Sequence, residues 1–295
     1  MSDQITIFQV QQYSTNVQLL LQQKGSKLRK TVTEGSQVGK QASPVDQIAA
    51  TVAKKRTSRY PALTAANTAA DRRWVFPSDY DVDPELIDSV DKLKMLSDPQ
   101  SSYVTNTTYA LGRGMDLEIT SSFFGTAKTG EQGATSTTFP AGQQVAVTVG
   151  AGAATGLNVA KLRAAKKLLL AAMVDLDNDD AFCAISAVQH DNLLGEIQAI
   201  NLDYTDRPVL VEGRITRFMG FTFINSELLP VDGSTYRRVP VWVKSGMYLG
   251  IWQEIVPNVS QRNDLAGLPW QVYAYGTFGA TRLEEKKIVE IKCSE

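Results

Sequence analysis

Val211-Glu-Gly-Arg-Ile-Thr-Arg-Phe-Met-Gly-Phe-Thr-Phe-Ile-Asn-Ser-Glu-Leu-Leu-Pro230 alternates apolar and polar residues around Gly213 and Gly220 and ends on a proline. Period-two alternation broken by glycine predicts short strands with tight turns, over 210–215 and 218–224. Downstream the same signal recurs in Val239-Pro-Val-Trp-Val243, Trp270-Gln-Val-Tyr-Ala-Tyr275 and Lys287-Ile-Val-Glu-Ile-Lys292.

Upstream the pattern changes. Phe182-Cys-Ala-Ile-Ser-Ala-Val188 reads as a buried strand, followed by a short helix over 191–197. Asn158 caps an Ala/Leu/Lys-rich helix over about 159–175. Between Gly125 and Gly156 lies a Gly/Ala/Thr/Ser-rich segment with one strand expected over 144–149. Asp98-Pro99 opens a long helix over 100–124, with Tyr103, Ala110, Gly114, Leu117 and Phe124 near one face. Its Thr- and Gly-containing part, 104–114, needs tertiary packing to stay helical. Asp83-Pro-Glu-Leu-Ile-Asp88 reads as a capped helical turn, and Val17-Gln-Leu-Leu-Leu-Gln-Gln23 as a short helix or extended arm. With helices central, strands late and no βαβ alternation, the fold class is α+β.

The composition leans away from catalysis. A single histidine, His190, excludes a multi-histidine metal site and must serve alone in any nucleophilic triad. Cys183 and Cys293 form no Cys-x-x-Cys motif and read as two reduced thiols. The start of the chain lacks the charged and apolar regions of a secretory signal, and no apolar run approaches 18 residues. Synthesis and folding in a cytoplasm, with no membrane partner, is the expectation.

The near-zero net charge hides an asymmetry. From Lys24 to Arg73 eleven basic residues face three acidic ones, a local +8, whereas 74–295 carries 19 basic and 27 acidic residues, or −8. The basic stretch is rich in Gly, Ser, Thr and Gln, and poor in core-forming side chains. Fifty such residues are too many for a passive loop and predict either disorder or an arm that docks elsewhere, on nucleic acid or on the acidic body of a neighbouring copy. Tyr60 is its only aromatic residue, which argues against a base-stacking platform.

Chemical motifs fail on spacing. Gly150-Ala-Gly-Ala-Ala-Thr-Gly156 has Thr155 where a dinucleotide fingerprint needs glycine, and reads as a flexible hinge into the following helix. Gly35-Ser-Gln-Val-Gly-Lys40 has three residues between its glycines instead of four. Asp175-Leu-Asp-Asn-Asp-Asp180 begins like a calcium loop, but Asp180 and Ser186 stand where glycine and glutamate belong. His190 beside Asp191 reads as a helix-end or surface residue. No cofactor, metal or catalytic residue is expected.

The order of these parts resembles the major capsid proteins of tailed bacteriophages, the Hong Kong-97-type fold. The resemblance rests on the 211–230 stretch, on Phe182-Cys-Ala-Ile-Ser-Ala-Val-Gln-His-Asp-Asn-Leu-Leu194, and on Thr277-Phe-Gly-Ala-Thr-Arg282 with the closing strand after it. It covers most of the chain, most strongly 157–295 and most weakly 1–75.

This resemblance implies an N-terminal arm over 1–24, an extended E-loop over 25–75, and a P-domain with its spine helix over 76–156. An A-domain over 157–260 and return strands of the P-domain over 261–295 complete it. It implies a non-enzymatic, virion-located shell subunit that assembles with itself as pentamers and hexamers around double-stranded DNA, beside scaffolding, portal and decoration proteins. The candidate intersubunit contacts are the cations of the basic stretch: Lys27, Arg29, Lys30, Lys40, Lys54, Lys55, Arg56, Arg59, Arg72 and Arg73. Two other readings stay open: an encapsulin-like compartment shell enclosing protein cargo, and a nucleic-acid-binding module that uses the basic arm. A hydrolase built on His190 ranks last.

Overall fold

A computed structural model describes residues 20–60, 65, 67–87, 100–196, 210–211, 214–233 and 236–295. By contacts the chain divides into two units. One gathers the described parts of Met1–Ser26, Asp79–Gly114 and Gln253–Thr277; the other comprises Lys27–Ser78, Met115–Trp252 and Phe278–Glu295.

The larger unit is built on a six-stranded sheet ordered β11-β12-β8-β13-β16-β7, with β7 at Gln144–Val145, β8 at Ala181–Ile185, β11 at Arg217–Phe218, β12 at Phe221–Asn225, β13 at Arg237–Val243 and β16 at Ile288–Cys293. β8 runs parallel to β12 and antiparallel to β13, which pairs β16 along nearly its whole length. Three of these strands, β8, β13 and β16, are buried on both faces, so they read as apolar runs as much as alternations.

One core cluster joins this sheet to helix α2, Val159–Ala171: Leu162, Ala165 and Leu169 pack with Ile185, Phe221, Val241 and Ile291. Thirteen residues are marginal as an isolated helix, so burial of this stripe is what holds it. On Trp242, fully buried, lie the rings of Phe123 at 4.6 Å and Phe182 at 5.8 Å. The indole N–H donates to Thr31 O at 3.0 Å.

Asn158 caps α2 as expected, its side chain accepting Lys161 N at 2.8 Å. The Lys161 ammonium, fully buried, donates to Thr155 O, Gly156 O and Lys292 O at 2.6, 2.9 and 3.0 Å. Burial pulls its pKa below the usual lysine value. The segment read as a hinge is therefore a turn tied down on both sides, with Thr155 N–H donating to Val147 O and the Asn158 amide to Val149 O. For the same reason the strand expected over 144–149 stops at Val145 and becomes a turn.

Other expectations shift. α2 ends at Ala171 rather than near Asp175, where Met173 turns the chain at φ 59°. The next helix, α3, is Ala187–Leu194; it starts earlier than read because Ser186 and Gln189 form a capping box. The first of the strands expected around Gly213 is a two-stranded pair, β9 (Leu210–Val211) with β10 (Arg214–Ile215).

A second sheet, ordered β2-β3-β5-β6, belongs to the larger unit: β2 Ala42–Ile48, β3 Ala70–Val75, β5 Ala127–Thr129 and β6 Thr135–Thr137. The third is ordered β1-β14-β15-β4, with β1 Thr33–Ser36, β4 Ser78–Ile87, β14 Met247–Gln261 and β15 Trp270–Arg282. β14, the longest strand, carries no clean alternation and is not evident in the sequence. β4 overturns the helical turn expected at 83–88: pairing with β15 outweighs the Asp-Pro start signal, and an edge strand tolerates Pro84. Gly279 has a steric reason, since a Cβ there would lie 2.0 Å from Phe76 O.

Helix α1, Gln100–Phe124, confirms the long helix but not its expected face. Leu111, Met115, Ile119 and Phe123 are buried at four-residue spacing, whereas Leu117 is 48% exposed. In the smaller unit the chain at Gly25 crosses α1 so closely that a Cβ on Gly112 would lie 2.6 Å from Gly25 Cα. Arg113 donates to Gln22 Oε1 and Gln23 O beside it. In the larger unit the buried Asp116 carboxylate accepts Lys27 N and Leu28 N at 2.9 and 3.1 Å. The expected helix or arm at 17–23 lies largely outside the described residues; Leu20 and Leu21 are exposed and not helical.

Glu295, just past β16, ties that end of the sheet to the start of β13 and of α3. Its carboxylate accepts Arg237 Nη2 and Ser186 Oγ, each at 2.7 Å, and Gln189 Nε2 at 2.6 Å. The Arg237 guanidinium, chiefly, holds the Glu295 carboxyl below the usual carboxylate range. A depressed folded-state pKa contributes stability above the unfolded value, about 4.3, and loses it as pH falls through the folded value. Glu295→Gln should therefore cost about 1–2 kcal/mol at pH 7, and less at about pH 3, below the unfolded value. Urea melts at the two pH values measure this; an equal cost at both would mean the ionised form contributes nothing.

Candidate assembly surfaces

The basic stretch is more structured than its composition suggests. Leu28 and Val32 are buried, and β1 runs parallel to β14 from Thr33↔Tyr248 to Ser36↔Ile251. β2 and β3 pair as an antiparallel hairpin closed by Ala49 N donating to Ala69 O at 2.8 Å. Two or three large apolar residues with backbone pairing suffice to anchor a segment whose average composition is polar. The anchors are too sparse to register as a periodic pattern.

The hairpin's base is pinned by the arginines of β3. Arg73, only 5% exposed, makes a bidentate pair with Glu285 at 2.6 and 2.7 Å and donates from Nε to Gln47 Oε1. The Gln47 amide in turn donates to Leu283 O. Arg72 pairs with Asp46 at 2.6 and 3.1 Å across the hairpin and lies over the Trp74 ring. The Trp74 indole donates to Gly130 O at 2.6 Å, fixing β3 to the β5–β6 turn.

The ten candidate contact cations thus fall into two groups. Lys27 donates to Asn225 O at 2.8 Å and Arg29 pairs with Glu34 at 2.8 Å, so these two, with Arg72 and Arg73, engage their own chain. Arg73 is too buried to reach a neighbour. Lys30, Lys40, Lys54, Lys55, Arg56 and Arg59 are exposed, the last four on a tip exposed at every residue from Ala49 to Tyr60. Arg56 Nε donates to Ser58 O, and Arg59 stands over the Tyr60 ring. The exposed cations of the stretch are therefore Lys30, Lys40 and the four on the hairpin tip, where they are densest.

The residues weighed for chemistry have structural places. His190 Nε2 accepts Ile215 N at 3.3 Å, tying α3 to β10. Cys183 and Cys293 are buried free thiols; burial pushes the pKa of the first up, and that of the second to about 12, so neither has thiolate character. The Asp175 carboxylate accepts the N–H groups of Asp177 and Asn178, organising a surface turn. Among the described residues no group of three or more His, Cys, Asp or Glu side chains could hold a metal ion, and no helix is long and apolar enough to cross a membrane.

Comparison with known proteins agrees with this architecture. The fold is similar to the capsid of cyanophage P-SCSP1u, with a TM-score of 0.76 at 15% identity, covering 99% of this chain and 94% of that one. The cyanophage Pam1 capsid gives 0.74 at 12% identity, covering 98% and 97%. The capsid of a native GTA particle gives 0.68 at 14%, covering 99% and 98%. No curated protein matches by sequence. The family model described as phage capsid protein matches residues 5–295. With an α+β capsid fold of the Hong Kong-97 type and that match over nearly its whole length, the chain belongs to the phage capsid protein family and is a major capsid protein, a structural subunit of a phage head shell.

Proposed function

We propose that copies of this chain assemble as pentamers and hexamers into an icosahedral head that encloses double-stranded DNA, with residues 25–75 serving as the E-loop that reaches across a neighbouring copy. The observation that carries the E-loop assignment is the β2–β3 hairpin: its base is locked to its own chain by Arg73 and Glu285, while its tip is exposed and basic. A tip whose described residues bury no apolar side chain gains order by lying on another surface, and a shell of identical subunits supplies that surface at every position. On this reading 1–24 is the N-terminal arm, 76–156 the P-domain with α1 as its spine, 157–260 the A-domain and 261–295 the returning P-domain strands. Scaffolding, portal and decoration proteins are the further partners, and assembly takes place in the bacterial cytoplasm.

The family match favours a phage head over a cargo-enclosing compartment. The test is expression of the full chain in bacteria, then sedimentation and negative-stain microscopy. The expected result is shells, tubes or rings built from fivefold and sixfold clusters; a protein that stays monomeric across a wide concentration range overturns the proposal.

A further inference from the structure

The smaller unit carries a surface whose chemistry matches a guanidinium. β4 is an edge strand of its sheet, and Asp79, Asp81 and Asp83 fall at period two along it, all exposed. Thr277 Oγ1 donates to Asp79 Oδ1 at 2.7 Å, and Tyr273 OH reaches Asp81 Oδ2 at 3.5 Å, so these carboxylates and the β15 side chains share one face. On that face the rings of Tyr273 and Tyr275 stack at 5.7 Å with an interplanar angle of 26°. Aspartates and tyrosines together line a cavity of about 300 Å³.

Carboxylates beside an aromatic face suit arginine better than lysine. A planar guanidinium can lie on a tyrosine ring and present its N–H groups to a carboxylate at the same time, whereas an ammonium is a compact, strongly hydrated charge. We propose that this surface receives the hairpin tip of a second copy of the chain, with Arg56 or Arg59 entering between the tyrosines and the Asp79 and Asp81 carboxylates. The proposal rests on the E-loop reading above and names the receiving surface.

Charge complementarity selects this occupant. Residues 74–87 contain four acidic side chains and no basic one, and residues 49–69 contain four basic side chains and no acidic one. The described part of the tip is exposed, and among the described residues Arg56 and Arg59 contact Ser58 and Tyr60, both local. Such a contact is heterologous, pairing one patch with a different patch on the next copy, which is the kind that closes rings. An exposed ion pair is weak alone, but a shell repeats it in every subunit, so its loss multiplies.

The test is a charge-reversal set in the full chain, read by particle yield in sedimentation and microscopy. Arg56→Glu with Arg59→Glu, both exposed on the tip, should lower particle yield by about tenfold or more. Asp79→Lys with Asp81→Lys should do the same, and the four changes together should recover much of the yield. Tyr275→Ala separates an arginine pocket from a diffuse field: it should reduce assembly without altering charge. A thermal melt of each soluble variant checks that the body is folded. Wild-type yield from the arginine double variant, or a fourfold variant no better than its parents, overturns the proposal. A wild-type chain that forms no shells at all would instead count against the E-loop reading itself.

Discussion

Replacing residues 50–68 with two glycines should leave a soluble, folded protein that no longer forms shells. The cut lies beyond the Ala49–Ala69 hydrogen bond that closes the β2–β3 hairpin, so the Arg73–Glu285 and Arg72–Asp46 pairs, the buried Leu28 and Val32 and the pairing of β1 with β14 all survive. Everything removed is exposed among the described residues, apart from a half-buried Thr68. The melting temperature should therefore move by no more than about 2 °C. Shells, by contrast, depend on many weak contacts made at once, and deleting one from every subunit should cut particle yield about a hundredfold or more. Deleting the whole of 25–73 would be a poorer experiment, because it takes core residues with it. Particles of normal size and yield from the shortened chain would show that the tip has no part in assembly.

Arg282→Met should be the most damaging single substitution to the body. Arg282 is 1% exposed and its guanidinium lies at the C-terminal end of α1, where Nη1 donates to Ser122 O, Phe123 O and Gly125 O, and Nη2 to Thr137 O. A cation there neutralises the negative end of the helix dipole and satisfies carbonyls that have no partner within the helix. Its plane also stands 5.5 Å from the Phe139 ring. Burial lowers its pKa to about 10, so the side chain remains charged at neutral pH. Methionine has similar length but no donors and leaves the buried carbonyls unsatisfied, at about 3–5 kcal/mol. A circular-dichroism melt should fall by about 10 °C. Lysine at 282, which keeps the charge but lacks the fork, should recover only part of the loss. If the methionine variant melts within a degree or two of the parent, the guanidinium is not what secures the helix end.

What could be read in advance follows the strength of the local signals. The cap at Asn158, the long helix after Asp98-Pro99 and the strands at 181–185, 221–225, 237–243 and 288–293 all have short-range causes, and they stand close to where the pattern puts them. The misreadings share one feature. At Asp83-Pro84 a local helix-start signal yields to pairing with β15, and along 144–149 an apolar alternation yields to the turn that Lys161 and Asn158 hold closed. The face of α1 is misjudged because its apolar residues lie on more than one side, and only packing selects Leu111, Met115, Ile119 and Phe123.

The docking surfaces divide in the same way. A count of charges along the sequence is enough to find the basic stretch, because net charge is additive and needs no geometry. It cannot separate Arg73 from Arg56, since one is buried against Glu285, 212 residues away, and the other stands in solvent. Nor can it bring Asp79 and Asp81 to Tyr273 and Tyr275, nearly 200 residues apart, because that depends on the register of two strands. Composition, capping and alternation are properties of neighbours along the chain, and by themselves they determined the fold class and the uneven spread of charge. Burial and strand register are properties of neighbours in space, so only the tertiary structure decided which charges hold the subunit together and which are left to meet another copy.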